Sequence, residues 1–245
     1  NLLHPFQPFI VGQRIIGPVM AKKFGVKLVM YGENQAEYGN SIEENINPVM
    51  NMDFFSSNDA MNMKFGGISI QEYINTGRYV KDDFSPYIAP EKQELIDSGI
   101  EVHYLGYYLK WDPQECYYYS VDNTGFQANP VRTEGTYSKY SSIDDKIDPF
   151  HYLTTLIKFG IGRCTYDAAQ EVRNEKITRE EAAYLVEKYD NEFPNIYFKE
   201  FLEYIDTTED KFWDTMDKHR SPHIWKKVDG EWKLRHKVAK TGVDD

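Results

Sequence analysis

Positive charge is in short supply: 28 Lys and Arg stand against 39 Asp and Glu, a formal charge of -11 at pH 7. Binding to DNA or RNA draws on clustered basic side chains that displace counterions from phosphates. Nucleic acid is therefore not expected as a main partner, and only a local basic pocket stays open. Cysteine is scarce as well. Cys116 and Cys164 are the two present, without a C-x-x-C pair or a nearby His at ligand spacing, which argues against a disulfide framework and a zinc site and for a reducing, cytoplasmic compartment. No apolar run approaches the ~20 residues of a bilayer span, so no membrane segment is expected. The start, Asn1-Leu-Leu-His-Pro5, lacks the basic and apolar regions of a signal peptide and has no initiator Met, from which a fragment is expected. What remains is 245 residues at 41% hydrophobic, enough for one large core or two modest ones.

The spacing of apolar residues over Val11 to Phe24 predicts a helix ended by Gly25. Lys27-Leu-Val-Met-Tyr31 then reads as a buried strand running into an acidic turn, Gly32-Glu-Asn-Gln-Ala-Glu-Tyr-Gly39. Strand ends of this kind are where open α/β sheets bind ligands. The neighbouring strands are not obvious nearby, so part of the sheet is expected before residue 1. An irregular insertion with short helices follows at about 40–98, where Asn47, Asn51, Asn58 and Asn62 alternate with Met50, Met52, Met61 and Met63. Ile100 to Leu105, continuing to Trp111, reads as a second strand, and Asp112-Pro-Gln-Glu115 as a helix start, with the helix stopping at Gly125. From about residue 148 the chain turns helical: 149–159, 165–173, 178–189, 195–204 and 208–218. Thr178 and Thr208 are the expected hydroxyl caps. The tail around Asp229-Gly230 reads as a β-hairpin. The fold class is thus α/β, a partial parallel sheet (1–130) followed by a mainly helical region (131–245).

Three constellations carry chemistry. In the first, Gly32 and Asn34 suit a phosphate, Glu37 offers a hard oxygen to Mg2+, Arg14 adds a phosphate contact, and Glu33 is a spare acid. Glu33 and Glu37 also suit helix capping or surface ion pairs, the reading that pattern alone favours, and spacing by itself does not decide. The second is the hydroxyl-rich loop from Arg132 through Lys139, Asp144 and Lys146, leading to His151 and Lys158; it suits a polyhydroxylated ligand or serves as a solvated connector. The third is Gly160-Ile-Gly162-Arg163-Cys164-Thr165, where Thr165 is the expected N-cap and Arg163 stands where an anion could sit. Cys164 has no partner His in sequence to activate it.

Gly12-Gln-Arg14 through Gly25, Leu28 to Asn34 and Glu37 together resemble the helix, strand and Gly-Thr-Asn-x-x-Glu turn of N-type ATP pyrophosphatases, the group that includes NAD and GMP synthetases. Tyr31 to Gly39, Lys110 to Glu115, Thr133 to Tyr140, Asp144 to Asp148 and Ile157 to Arg163 resemble the N-acetyl sugar amidotransferases of surface-polysaccharide synthesis. The resemblance spans nearly the whole chain.

It implies a Rossmann-like sheet of the adenine nucleotide hydrolase type and a reaction with ATP and Mg2+. A sugar acetamido oxygen is adenylated, and ammonia then displaces AMP to leave an acetamidino group. It further implies an N-acetylated sugar as acceptor, nucleotide-linked or not, and a separate glutaminase partner with a cyclase-like companion supplying ammonia. Carried onto this chain, Arg14, Gly32 and Asn34 bind ATP, Glu37 binds the metal, and Lys139, Asp144, Lys146 and Arg163 bind the acceptor. One departure stands out. The Ser-Gly-Gly-x-Asp-Ser phosphate loop is absent, and Phe65-Gly-Gly-Ile-Ser69 is a poor substitute. The chain is therefore expected to be the C-terminal portion of a longer enzyme, inactive alone, with a non-catalytic sugar-binding or assembly subunit as the alternative. A tRNA acceptor, as in thiolation enzymes of similar fold, is disfavoured by the acidic charge.

Overall fold

A computed structural model describes residues 3–33 and 42–238, with the side chains of residues 42 and 44 outside the description. The chain is mixed α/β and divides into two units, Phe6–Pro113 and Leu3–Pro5 with Gln114–Asp245.

The first unit opens with α1 (Gln7–Phe24), which Gly25 ends at φ 69°, a left-handed turn that glycine adopts without a Cβ penalty. Pro18 lies inside α1 and has no N–H to give the carbonyl four residues back. That carbonyl, on Arg14, instead accepts from the Tyr31 hydroxyl at 2.9 Å. Close approach is needed for this, and Gly17 permits it: a Cβ there would stand 2.9 Å from the Tyr31 hydroxyl.

Tyr31 closes β1 (Leu28–Tyr31), which pairs in parallel with β4 (Glu101–Tyr104) in the register Leu28 to Glu101 through Tyr31 to Tyr104. Among the described residues between these strands lie α2 (Ile42–Asn45), the two-residue strands β2 (Lys64–Phe65) and β3 (Ile68–Ser69), α3 (Ile70–Asn75) and α4 (Lys92–Asp97), with three short 3-10 turns. The Asn/Met alternation resolves into two roles. Asn47 and Asn51 side chains accept from Val49 and Asp53 N–H and set turns, while Met50 and Met52 join Phe55, Leu95, Ile100, Val102 and Tyr104 in the core. Met61 and Met63 pack on a second cluster of Phe65, Ile70 and Phe84.

Phe65 to Ser69 is an antiparallel hairpin whose Gly66 and Gly67 have φ 59° and 87°; Ser69 then caps α3 in a reciprocal box with Glu72. One expectation is corrected here. The second strand does not continue to Trp111: it ends at Tyr104, and α5 (Leu105–Tyr108) follows at once. β1 also ends at the matching register position, so β1 offers no further ladder partner among the described residues, and the Gly106 N–H goes to the Glu33 carbonyl instead, at 3.1 Å.

The second unit carries α6 (Pro113–Thr124), α7 (Asp148–Phe159), α8 (Arg163–Arg173), α9 (Arg179–Tyr189), α10 (Phe198–Tyr204) and α11 (Glu209–Lys218). Phe150, Leu153, Ile157, Phe201, Phe212 and Met216 form its main core, and Phe150 stacks on Phe201 at 4.0 Å between ring centres. Small residues let α8 and α9 approach, with Ala168, Ala182 and Val186 buried around Cys164. Thr178 and Thr208 cap α9 and α11 as their sequence spacing implies. β5 (Trp225–Val228) and β6 (Glu231–Leu234) close the tail as a hairpin turning through Asp229 and Gly230 at φ 52° and 85°. No helix among the described residues is long and apolar enough to cross a membrane.

Candidate functional site

The carboxyl ends of β1 and β4 form the first candidate site. Gly32 is exposed, and among the described residues nothing lies within 4 Å of where its Cβ would stand, so none of them bars a ligand from the backbone there. Glu33 is half-buried, its carboxylate accepting from Gln13 Nε2 at 3.4 Å. Arg14 reaches this end from α1. Its guanidinium lies 5.0 Å from the centre of the Phe54 ring. Burial lowers its pKa, against the pull of Tyr104 and Tyr31. Its Nε is buried without a hydrogen-bond partner among the described residues, a donor suited to a phosphate oxygen. Burial pushes the Tyr31 hydroxyl up to about 12, so it stays protonated and keeps holding α1. Asn34 and Glu37 lie outside the described residues. Among the described residues no group of three or more His, Cys, Asp or Glu is placed to hold a metal; Mg2+ usually takes one or two carboxylates and lets phosphate supply the rest.

Three side chains that sequence reasoning missed run from the start of β4 to the turn beyond its carboxyl end. Tyr108 on α5 donates its hydroxyl to His103 Nδ1 at 2.5 Å, and His103 Nε2 donates to Glu101 Oε2 at 3.1 Å. Glu101 and His103 alternate with the buried Val102 and Tyr104, so strand periodicity alone puts them on one face. That signal was available in the sequence; the turn that brings Tyr108 back over His103 was not.

In the second unit the hydroxyl-rich loop is tied down by its charges. Arg132 pairs with both oxygens of Glu192 at 2.5 and 2.6 Å and lies over the Tyr189 ring, and the Gly135 N–H donates to the same carboxylate. The Glu134 carboxylate accepts from the N–H groups of Asn195 and Ile196, and Thr136 donates to Asp167.

At the centre is Arg163, whose Nε donates to Asp167 at 3.0 Å and whose Nη1 donates to Asp148 at 2.9 Å and Ser142 at 3.1 Å. Its guanidinium also covers the Tyr152 ring at 4.4 Å. The three charged side chains are 15%, 16% and 18% exposed for Arg163, Asp148 and Asp167. Burial pushes the Asp148 carboxyl up to about 6 against the pull of Arg163, with Asp145, Asp167 and Asp144 adding to the rise. Nearby, burial holds His151 down at about 4, helped by His4, Lys158 and Arg163.

Of the residues proposed for an acceptor, Arg163 and Asp144 thus act on one carboxylate, Asp148. Lys146 is exposed, pairs with Glu200 at 2.8 Å and lies over Tyr197. Lys139 is exposed and reaches the Pro130 carbonyl at 3.4 Å. The expected cap of α8 is corrected: Gly162 is its N-cap and Thr165 lies inside the first turn. Asp190, distant in sequence, accepts from the N–H groups of Gly162 and Thr165 and from the Thr165 hydroxyl, meeting the helix's orphan donors with a carboxylate suited to its dipole. Cys164 is fully buried, and burial raises its thiol to about 12, which keeps it protonated and unreactive.

No curated protein matches the chain. Residues 134–239, a stretch that holds Lys139, Asp144, Lys146 and Arg163, match the family model described as LPS biosynthesis protein WbpG-like, C-terminal domain, and so fit the C-terminal portion of an LPS biosynthesis protein.

Proposed function

We propose that the protein is an ATP-dependent amidotransferase of lipopolysaccharide biosynthesis that converts the acetamido group of an N-acetylated sugar into an acetamidino group. The observation that carries this reading is the match of residues 134–239 to the WbpG-like C-terminal domain. The open strand end of the first unit supports it, with Arg14 Nε buried and unpartnered among the described residues and Gly32 open to close approach.

Arg14 donates to a phosphate oxygen of ATP, the Gly32 backbone and Asn34 line the phosphates, and Glu37 holds Mg2+. When bound, Mg2+ neutralises the departing pyrophosphate. Lys139, Asp144, Lys146 and Arg163 bind the acceptor sugar. An amide oxygen is a poor leaving group, and transfer of AMP to it lets a neutral amine complete the substitution: the C–N bond to ammonia forms as the C–O bond breaks, and AMP leaves carrying the acetamido oxygen. Ammonia comes from a separate glutaminase subunit with a cyclase-like companion.

The test uses the whole gene product that carries this chain, with ATP, Mg2+, an ammonium salt and nucleotide-linked N-acetyl sugars. AMP, pyrophosphate and an amidine product, identified by mass spectrometry, are expected together, and Glu37→Gln is expected to lower turnover by at least about 10²-fold. Turnover unchanged by that substitution removes Glu37 from the metal role. A second reading, a non-catalytic sugar-binding or assembly subunit, draws on the hairpin at Phe65–Ser69, where the phosphate loop of the resembled enzymes has no counterpart. Sugar bound with neither ATP binding nor AMP release decides for it.

A further inference from the structure

We propose that Glu101, His103 and Tyr108 form a proton relay in which the Tyr108 phenol takes a proton from the ammonium ion that becomes the nucleophile; this assignment rests on the amidotransferase reading. Tyr108 donates to His103 Nδ1 at 2.5 Å while His103 Nε2 donates to Glu101 at 3.1 Å. Both ring nitrogens are therefore committed, and the carboxylate fixes the tautomer with Nδ1 as the acceptor. The order of groups is that of an activated hydroxyl backed by a base and a base-orienting acid. The His103 side chain is 12% exposed and its ring stacks on Tyr108, so it is held in place. Tyr108 is 50% exposed, so its oxygen is reachable from solvent.

The relay runs from Glu101 at the start of β4 to Tyr108 on the turn after its carboxyl end, the ligand end of the sheet. His103 is next to last in β4, and the helical turn bearing Tyr108 is tethered to the turn after β1 by the bond from Gly106 N–H to the Glu33 carbonyl. Next to Tyr108 the molecule supplies its own control. Tyr107 is 44% exposed on the same turn, but its hydroxyl donates to the Ile46 carbonyl at 3.3 Å, an acceptor that cannot take the proton away.

In the step, an ammonium proton moves to the Tyr108 oxygen as the phenol proton moves to His103 Nδ1. The imidazolium so formed is neutralised by Glu101. The freed nitrogen lone pair forms the C–N bond while the C–O bond to the departing AMP breaks. Tyr108 touches the nucleophile; His103 and Glu101 act through it as positioning residues.

Acylation by acetylimidazole, mapped by peptide mass spectrometry on the whole gene product, reads the relay without any turnover. Tyr108 is expected to react about 10-fold faster than Tyr107 near neutral pH, and His103→Gln is expected to equalise the two; equal rates in the unaltered protein overturn the relay. Turnover supplies the second reading. Tyr108→Phe is expected to slow ammonium-driven amidine formation by about 10²-fold and to leave unchanged the reaction driven by hydroxylamine, whose nitrogen is largely unprotonated at neutral pH. Equal losses with both nucleophiles overturn the relay. If Tyr108 outpaces Tyr107 but the unaltered protein makes no product with either nucleophile, the relay survives and the amidotransferase reading falls.

Discussion

Two arginines in the two units make opposite use of their surroundings. Arg14 reaches the carboxyl end of a two-stranded parallel sheet with its buried Nε unpartnered among the described residues, whereas Arg163 has Nε and Nη1 committed to Asp167, Asp148 and Ser142. A donor left open costs stability unless a ligand completes it; a donor inside a carboxylate network holds helices and a loop together. The contrast separates an arginine with a donor open to a ligand from one whose donors also hold the fold, although both are basic residues within two positions of a glycine, Gly12 and Gly162.

The sharpest way to break that comparison is to remove each arginine in turn. Arg163→Ala leaves two largely buried carboxylates without their cation and is expected to cost about 3–5 kcal/mol of unfolding free energy, read by urea denaturation. Arg14→Ala is expected to cost about 1 kcal/mol through its contact with Phe54 while removing most ATP-dependent turnover. Equal destabilisation by the two would erase the distinction.

Next in size is a pH effect confined to the second unit. The Asp148 carboxyl is raised to about 6 by burial, so its folded form favours the proton. Its contribution to stability is full below the unfolded carboxylate value of about 4 and is lost as pH rises through about 6. His151 is lowered to about 4 by burial, and its contribution runs the other way, full above about 6.5 and lost as pH falls toward 4. Between pH 4 and 6.5 the two oppose each other. Asp148→Asn should therefore make stability rise more steeply with pH than in the unaltered protein, and His151→Gln should make it rise less; denaturation midpoints across this range measure both slopes.

Smaller still, Thr178→Ala removes the cap of α9 and is expected to cost about 1 kcal/mol, measured by thermal unfolding. Lys146→Ala breaks an exposed pair with Glu200 and is expected to leave stability nearly unchanged. A rise in acceptor KM in that variant would then report sugar binding rather than loss of fold.

Local chemistry explains what the sequence made legible. Gly25, Thr178, Thr208 and Asp229-Gly230 act on neighbours within a few residues, so the end of α1, the starts of α9 and α11 and the tail hairpin can all be read from spacing. Distant partners account for the misses. The N-terminus of α8 is capped by Asp190, and the Asn195 and Ile196 N–H groups are held by Glu134, ahead of an α10 that begins at Phe198 rather than Asn195. β4 stops at Tyr104 because β1 stops beside it. At the candidate sites, the Arg14 and Gly32 placement follows from strand-end logic visible in sequence, and Asn34 and Glu37 lie outside the described residues. The Arg163 network joins residues far apart along the chain, which spacing cannot connect.

The fate of one oxygen atom tests the central claim most directly. A nucleotide-linked N-acetyl sugar carrying the heavy oxygen isotope in its acetamido carbonyl is incubated with the whole gene product, ATP, Mg2+ and ammonium, and the AMP is weighed by mass spectrometry. Heavy AMP formed in equal amount with amidine product is the predicted result, since adenylation hands that oxygen to the nucleotide. Amidine product accompanied by unlabelled AMP, or labelled sugar returned intact after ATP has been consumed, contradicts the account.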